Sequence, residues 1–249
     1  MTPLIELRGI KKRYGGVQAL AGADFDVFPR EIHALVGDNA AGKSSLIKAL
    51  SGAAPADEGV IRFEGREVSI REPRHAKALG IETVYQDLAL ADNLDIPANI
   101  FLGREILCKG LLAPFMDLRR MNDEAAKLLG RLKIRIPDLR QNVRTLSGGQ
   151  RQCVGIARAV YFNARVIILD EPTAALGVEE TRKVLELVKE MRDQGLTVVM
   201  ISHNLAHVFD LADRVSVMKT GSVVVSRPVR ETSRDEILRY IVMGREAAA

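Results

Sequence analysis

Residues Gly37-Asp38-Asn39-Ala40-Ala41-Gly42-Lys43-Ser44 satisfy the pattern G-x-x-x-x-G-K-[ST]. In such a turn, backbone N–H groups and the N-terminus of the following helix converge on a phosphate chain. Lys43 would then meet the β- and γ-phosphates of a nucleotide and Ser44 a Mg²⁺ ion, with Ser45 entering the helix. The apolar run at 32–36 and the helix-like stretch at 45–50 supply the strand and helix that the turn needs. The loop by itself does not say which kind of nucleotide machine it serves.

Other reactive groups follow apolar runs in the same way. The run 166–169 ends in Asp170-Glu171, and adjacent carboxylates are costly to bury unless they meet a cation, a donor or water. One can join a metal shell while the other polarises water. The run 197–201 delivers His203, and the run 81–85 ends at Gln86, at strand ends where open α/β sheets place ligands. Alone, His203 reads as a hydrogen-bonded structural residue and Gln86 as a surface residue. His203 and His207 are spaced like helical zinc ligands, but no H-E-x-x-H pattern accompanies them and His203 is expected to precede its helix. Tyr14 suits either core packing or stacking on a nucleobase. Ser147 can cap a helix, and Gly148 and Gly149 expose N–H groups before Gln150. This reads either as a second anion-binding helix terminus or as a flexible cap.

Strands are expected at 4–7, 23–27 and 60–63, with a turn at 11–16 and a short helix at 73–79. Between about 90 and 162 strand signals fade. There Leu118, Met121, Ala125, Leu128, Leu129 and Leu132 share a helical face after Asp117 and are assigned to the core. A connector at 137–144 leads to a helix running from Ser147 through Arg158. Val184, Leu187, Val188 and Met191 mark the core face of a helix ended by Gly195. A hairpin at 214–225 and a last helix to about 243, opened by a Ser233–Glu236 capping box, complete the chain. The Ala-rich end is expected to fray.

The 249 residues, 47% of them hydrophobic, suffice for a substantial core. No run approaches the roughly 18 to 20 apolar residues that span a bilayer, and no signal segment opens the chain. A net charge of +4 arises from interspersed acids and bases without a dense cationic block, so a solvated surface is expected and nucleic acid is not. Cys108 and Cys153 have no metal spacing and read as free thiols of a reducing cytosol.

Taken together, the phosphate loop, Gln86, the Leu146-Ser147-Gly148-Gly149-Gln150 sequence, 166–171 and His203 stand in the order found in ATP-binding subunits of ABC transporters. The chain resembles that family over essentially its full length, and LSGGQ is the most specific element. The resemblance implies an α/β fold: a RecA-like P-loop NTPase core with an antiparallel β-subdomain and a helical subdomain. It implies one domain over 1–249, with core and β-subdomain at about 1–89 and 163–249 and the helical subdomain at about 90–162. It further implies ATP and Mg²⁺ as ligands and a head-to-tail dimer around two nucleotides. Carried onto this sequence, Tyr14 stacks on adenine, and Gly37, Asp38, Asn39, Ala40, Ala41, Gly42, Lys43, Ser44 and Ser45 surround the phosphates. Ser44, Gln86 and Asp170 serve Mg²⁺, Glu171 is the general base, Gln86 senses the γ-phosphate and His203 is the switch histidine. Ser147, Gly148, Gly149 and Gln150 would touch ATP bound to the other subunit.

Residues 97–105, 173–178 and 202–204 are similar to those of monosaccharide (ribose, xylose, fructose type) importers. That implies a homodimer on the cytoplasmic face of the bacterial inner membrane, two transmembrane permease subunits and, indirectly, a periplasmic sugar-binding protein. The region from Gln86 to Glu105 would receive the permease. Many such proteins fuse two ATPase halves; the single-half variety, without the extra C-terminal regulatory domain of oligosaccharide importers, is expected here. Two departures stand out: Gly177 replaces the aspartate many members have, and Ala40 occupies a position that is usually glycine.

Overall fold

The computed structural model describes residues 2–110 and 113–244, so the Ala-rich end lies outside the described residues. Two sheets carry the site. The first is antiparallel, in the order β2-β1-β4-β5, from β1 (Ile5–Tyr14), β2 (Val17–Val27), β4 (Glu58–Phe63) and β5 (Arg66–Val68). The second, in the order β10-β9-β3-β8-β7-β6, comprises β3 (Ile32–Gly37), β6 (Ile81–Val84), β7 (Val166–Asp170), β8 (Thr197–Ile201), β9 (Arg214–Lys219) and β10 (Ser222–Pro228). Every pairing in it is parallel except that of β10 with β9.

The continuous apolar runs of β3, β7 and β8 follow from burial on both faces of this sheet. Successive side chains alternate: Ile32, Ala34, Ile167, Leu169, Val198 and Met200 enter one hydrophobic cluster, whereas Leu35, Val166, Ile168, Val199 and Ile201 enter the other. The first cluster includes the apolar faces of α3 (Ile96–Phe101), α4 (Leu118–Arg131), α5 (Gly148–Tyr161) and α6 (Val178–Asp193). The second joins the antiparallel sheet to α1 (Lys43–Ser51) and α2 (Pro73–Ala78).

Three expectations are corrected. β1 does not turn at residue 11 but continues to Tyr14, because Lys11, Lys12 and Arg13 pair with Ala21, Leu20 and Gln18, and the reversal falls on Gly15-Gly16. Leu118 is not core: it opens α4 and is 58% exposed, while Met121, Ala125, Leu128, Leu129 and Leu132 are buried as expected. In the last helix (Arg234–Met243), Ser233 accepts from the Glu236 N–H at 3.2 Å, but the capping box is not closed. The Glu236 carboxylate is instead engaged by Arg227 and Thr232.

Candidate nucleotide site

The parallel register brings the reactive residues to one edge. Leu35 and Asp170 both pair with Ile201, and Val84 with Leu169. The residues that follow, including Gly37, Glu171, His203 and Gln86, therefore leave the sheet from the same carboxyl end. Backbone bonds tie these exits together: the Glu171 N–H donates to Ile201 O at 3.1 Å and the Ser202 N–H to Leu35 O at 3.4 Å.

The phosphate loop curls around its own lysine. Lys43 is almost fully buried, and its Nζ donates to Gly37 O at 2.8 Å and Asp38 O at 2.9 Å. Burial lowers the ammonium's pKa, against the opposing pull of Glu171, Asp38 and Asp170. Gly37 has φ 151, and a side chain there would strike Met218 O at 2.3 Å. Asn39 N–H donates to Asp38 Oδ1 at 2.8 Å, and Ala41 is tied to Asp38 O and Gly221 N at 3.2 and 2.9 Å. Ala40 adopts φ 62, the left-handed conformation its unusual residue type brought into question. α1 opens on Gly42 with no side-chain cap, so the amide hydrogens of its first turn are left for an external acceptor. Ser44 is exposed beside them and Ser45 half-buried. An uncapped helix terminus, a lysine held in the loop and a half-buried carboxylate at the end of β7 fit a nucleotide triphosphate with its divalent cation.

Asp170 supplies that carboxylate. Burial raises its pKa first and the neighbouring Glu171 second, with Lys43 and Lys48 opposing. Glu171 has φ 49, a conformation that costs a side-chain-bearing residue about 1–3 kcal/mol and concentrates at functional sites. Its Oε2 lies 2.8 Å from Nδ1 of the exposed His203. His207, by contrast, contacts Asn204 Nδ2 at 3.2 Å and Thr173 Oγ1 at 3.5 Å. No cluster of three metal-ligating side chains occurs among the described residues.

Gln86 lies exposed just beyond β6. Tyr14 is 44% exposed at the end of β1, with Lys12 Nζ 5.7 Å from its ring centroid, so core packing is ruled out for it and an open aromatic face remains. The 147–150 segment is not joined to the phosphate loop by any hydrogen bond or ion pair among the described residues. Ser147 caps α5 in a reciprocal box with Gln150, at 3.0 and 3.4 Å.

Two residues that sequence reasoning passed over belong beside the site. Arg158 of α5 donates through Nη2 to Leu88 O at 2.6 Å and through Nη1 to Ala89 O at 3.1 Å, pinning the segment after Gln86. Glu180 of α6 packs against Gly149. Neither lies in a pattern that announces chemistry; only the packing of α5 against its neighbours exposes them.

The family model described as ABC transporter matches residues 20–174. The chain is 50% identical over 240 residues to the fructose import ATP-binding protein FrcA of Rhizobium meliloti, covering 94% of this chain and 92% of that one. It is 47% identical over 237 residues to the xylose/arabinose import ATP-binding protein XylG of Sulfolobus acidocaldarius, covering 95% and 93%. Its fold matches the crystal structure of a nucleotide-free ATP-binding cassette from an ABC transporter with TM-score 0.83 and 25% identity, over 99% and 98% of the two chains. Phosphate loop, strand-end carboxylates and family match agree: the chain belongs to the ABC transporter family, as an ATP-binding and ATP-hydrolysing subunit with a RecA-like core.

Proposed function

We propose that this subunit powers import of a monosaccharide by hydrolysing ATP in a site that two copies complete. The observation that carries the chemical part is the 2.8 Å contact between Glu171 and His203 at the edge that also bears the phosphate loop. The sugar assignment is supported by the fructose and xylose/arabinose import proteins that the chain matches over more than nine-tenths of its length.

In this reading Tyr14 stacks on the adenine. The amides of 37–45 and the Lys43 ammonium hold the phosphates. Ser44, Asp170 and Gln86 would hold Mg²⁺, which when bound neutralises charge on the β- and γ-phosphate oxygens. Glu171 accepts the proton of the attacking water, and His203 fixes the carboxylate and faces the γ-phosphate. Ser147, Gly148, Gly149 and Gln150 supply donors to the nucleotide of the opposite subunit. Closing the pair completes each site, because phosphoryl transfer depends on positioned donors and charge. Residues 90–162 form the helical subdomain and the remainder the core and β-subdomain of one ATPase domain. The dimer sits on the cytoplasmic face of the membrane against two permease subunits, which a sugar-binding protein feeds from the other side.

Purified membrane complex should hydrolyse ATP faster when a monosaccharide-loaded binding protein is added. A panel of monosaccharides that leaves the rate unchanged would remove the sugar assignment while leaving the ATPase standing.

A further inference from the structure

The strand that leads to Gln86 is held by the sheet from one side only. β6 lies at the sheet's edge, and its ladder with β7 ends at the Val84–Leu169 pair. Tyr85 and Gln86 follow beyond that pair, and two side-chain fastenings flank them. Ahead of Gln86, the Tyr85 hydroxyl lies 2.8 Å from Ser51 Oγ. Behind it, Arg158 donates to the carbonyls of Leu88 and Ala89. Ser51 Oγ also donates to Lys48 O at 3.3 Å. A serine hydroxyl has one hydrogen to give, so Tyr85 is the donor and Ser51 Oγ the acceptor between the two. Ser51 is buried and ends α1, the helix that begins at Lys43. That helix is a rod of roughly 12 Å, with the loop lysine at one end and the partner of Tyr85 at the other. The sheet makes no such direct tie, because β7 and β8 stand between β6 and β3, the strand that feeds the phosphate loop.

We propose that Tyr85 and Ser51 are a positioning pair for Gln86: their bond fixes the strand end that carries the amide against the phosphate-loop helix, and so sets the rate at which bound ATP is hydrolysed. This role rests on the assignment of Gln86 to Mg²⁺ and the γ-phosphate given above. Neither hydroxyl touches nucleotide; both act through Gln86. Phosphoryl transfer depends on placement, and displacing a contributing group by an ångström can cost about 100-fold in rate. Losing one bond from a strand that stays paired with β7 and fastened by Arg158 costs less than that.

The test compares Tyr85→Phe, Ser51→Ala and Gln86→Ala, alone and combined, in the purified membrane complex at saturating ATP. Tyr85→Phe keeps the ring and removes only the hydroxyl. Each hydroxyl variant should lower kcat about five- to twentyfold while ATP affinity, measured on the single chain, stays within about twofold. Because both remove the same bond, the two together should be no slower than either alone. In a Gln86→Ala background, Tyr85→Phe should have no further effect on kcat. Amide hydrogen exchange of the full chain should quicken at residues 85–87 in both hydroxyl variants. A bond that merely supports the fold gives a different pattern: a lower thermal midpoint with kcat unchanged, or a loss of kcat as large with Gln86→Ala as without it. Either result overturns the proposal. If Gln86→Ala alone hydrolyses ATP at the normal rate, the assignment of Gln86 fails instead, and the pair's role in catalysis falls with it even where exchange at 85–87 still quickens.

Discussion

Nδ1 of His203 stands 2.8 Å from Oε2 of Glu171, whose own backbone is held at φ 49. The contact joins the exits of two adjacent parallel strands, and the Glu171 N–H bond to Ile201 O locks the carboxylate's backbone from the same side. A left-handed glutamate is retained at a cost of about 1–3 kcal/mol, which is accounted for if its carboxylate has to be aimed. Glu171→Gln keeps the shape and the contact with His203 but removes the basic oxygen. ATP binding should persist while steady-state hydrolysis falls about 100- to 10,000-fold. Near-normal hydrolysis would remove Glu171 as the base.

His203 has a different dependence. Its side chain is largely exposed in the single chain, so its substitution should leave folding intact and act on the chemical step alone. For His203→Ala, kcat is expected to fall about tenfold or more with little change in ATP binding to the single chain. A variant that loses ATP binding but keeps kcat at saturation would place the histidine in nucleotide recognition instead.

Arg158 makes a geometric demand that lysine cannot meet. Its two terminal nitrogens reach the neighbouring carbonyls of Leu88 and Ala89, and partial burial pushes its pKa down. Lysine retains the charge but not the fork. Arg158→Lys should cost about 1–3 kcal/mol of stability and speed amide hydrogen exchange in the segment after Gln86. Unchanged exchange there would mean that this segment is held by other contacts.

The sheet edge was legible because buried parallel strands write themselves as unbroken apolar runs, and whatever follows such a run must emerge at the carboxyl end. That logic places Gly37, Asp170, Glu171 and His203 together from the sequence. It misread residues 11–14, since a Lys-Lys-Arg run looks like a turn, yet these residues pair with β2, and the charges of Lys11 and Lys12 are met by Glu58 and Asp57 at 2.7 Å each. It assigned Leu118 to the core because periodicity is blind to where a helix begins. Glu180 and Arg158 stayed hidden because each acts across elements distant in sequence. A spacing rule within one helix carries no trace of the glycine or carbonyl on the other side.

His33 links β3 to β9 and sets a pH dependence. It is wholly buried, with Nε2 2.7 Å from Ser216 Oγ, and burial first, then Arg214, push its pKa down from 6.5 to about 3. As pH falls below 6.5 the unfolded chain takes up a proton that the folded chain refuses until about 3. Stability is therefore complete above that window and is lost within it, at about 1.4 kcal/mol per pH unit from this group. His33→Gln, whose amide can still meet Ser216, should narrow the difference in unfolding free energy between pH 7 and pH 5 by about 2 kcal/mol. An unchanged difference would show that His33 is not the source.

Ala40 offers a measurement on the phosphate loop itself. Its φ of 62 is a conformation that an L-residue adopts at a cost of about 1–2 kcal/mol and glycine adopts freely. Ala40→Gly relieves that cost in the folded loop but enlarges the freedom of the unfolded chain by about 0.4–1 kcal/mol, so stability should change by no more than about 1 kcal/mol. The loop is left-handed at this residue, and its neighbours are fixed by Asp38 O and Gly221 N. The strain is a property of the folded turn, so ATP affinity should shift by less than about tenfold, which corresponds to 1.4 kcal/mol. Equilibrium ATP titration of the two forms decides the matter. A hundredfold change would mean that the alanine holds the whole 37–42 turn in the curvature that the phosphates require, and that its strain belongs to binding rather than to folding.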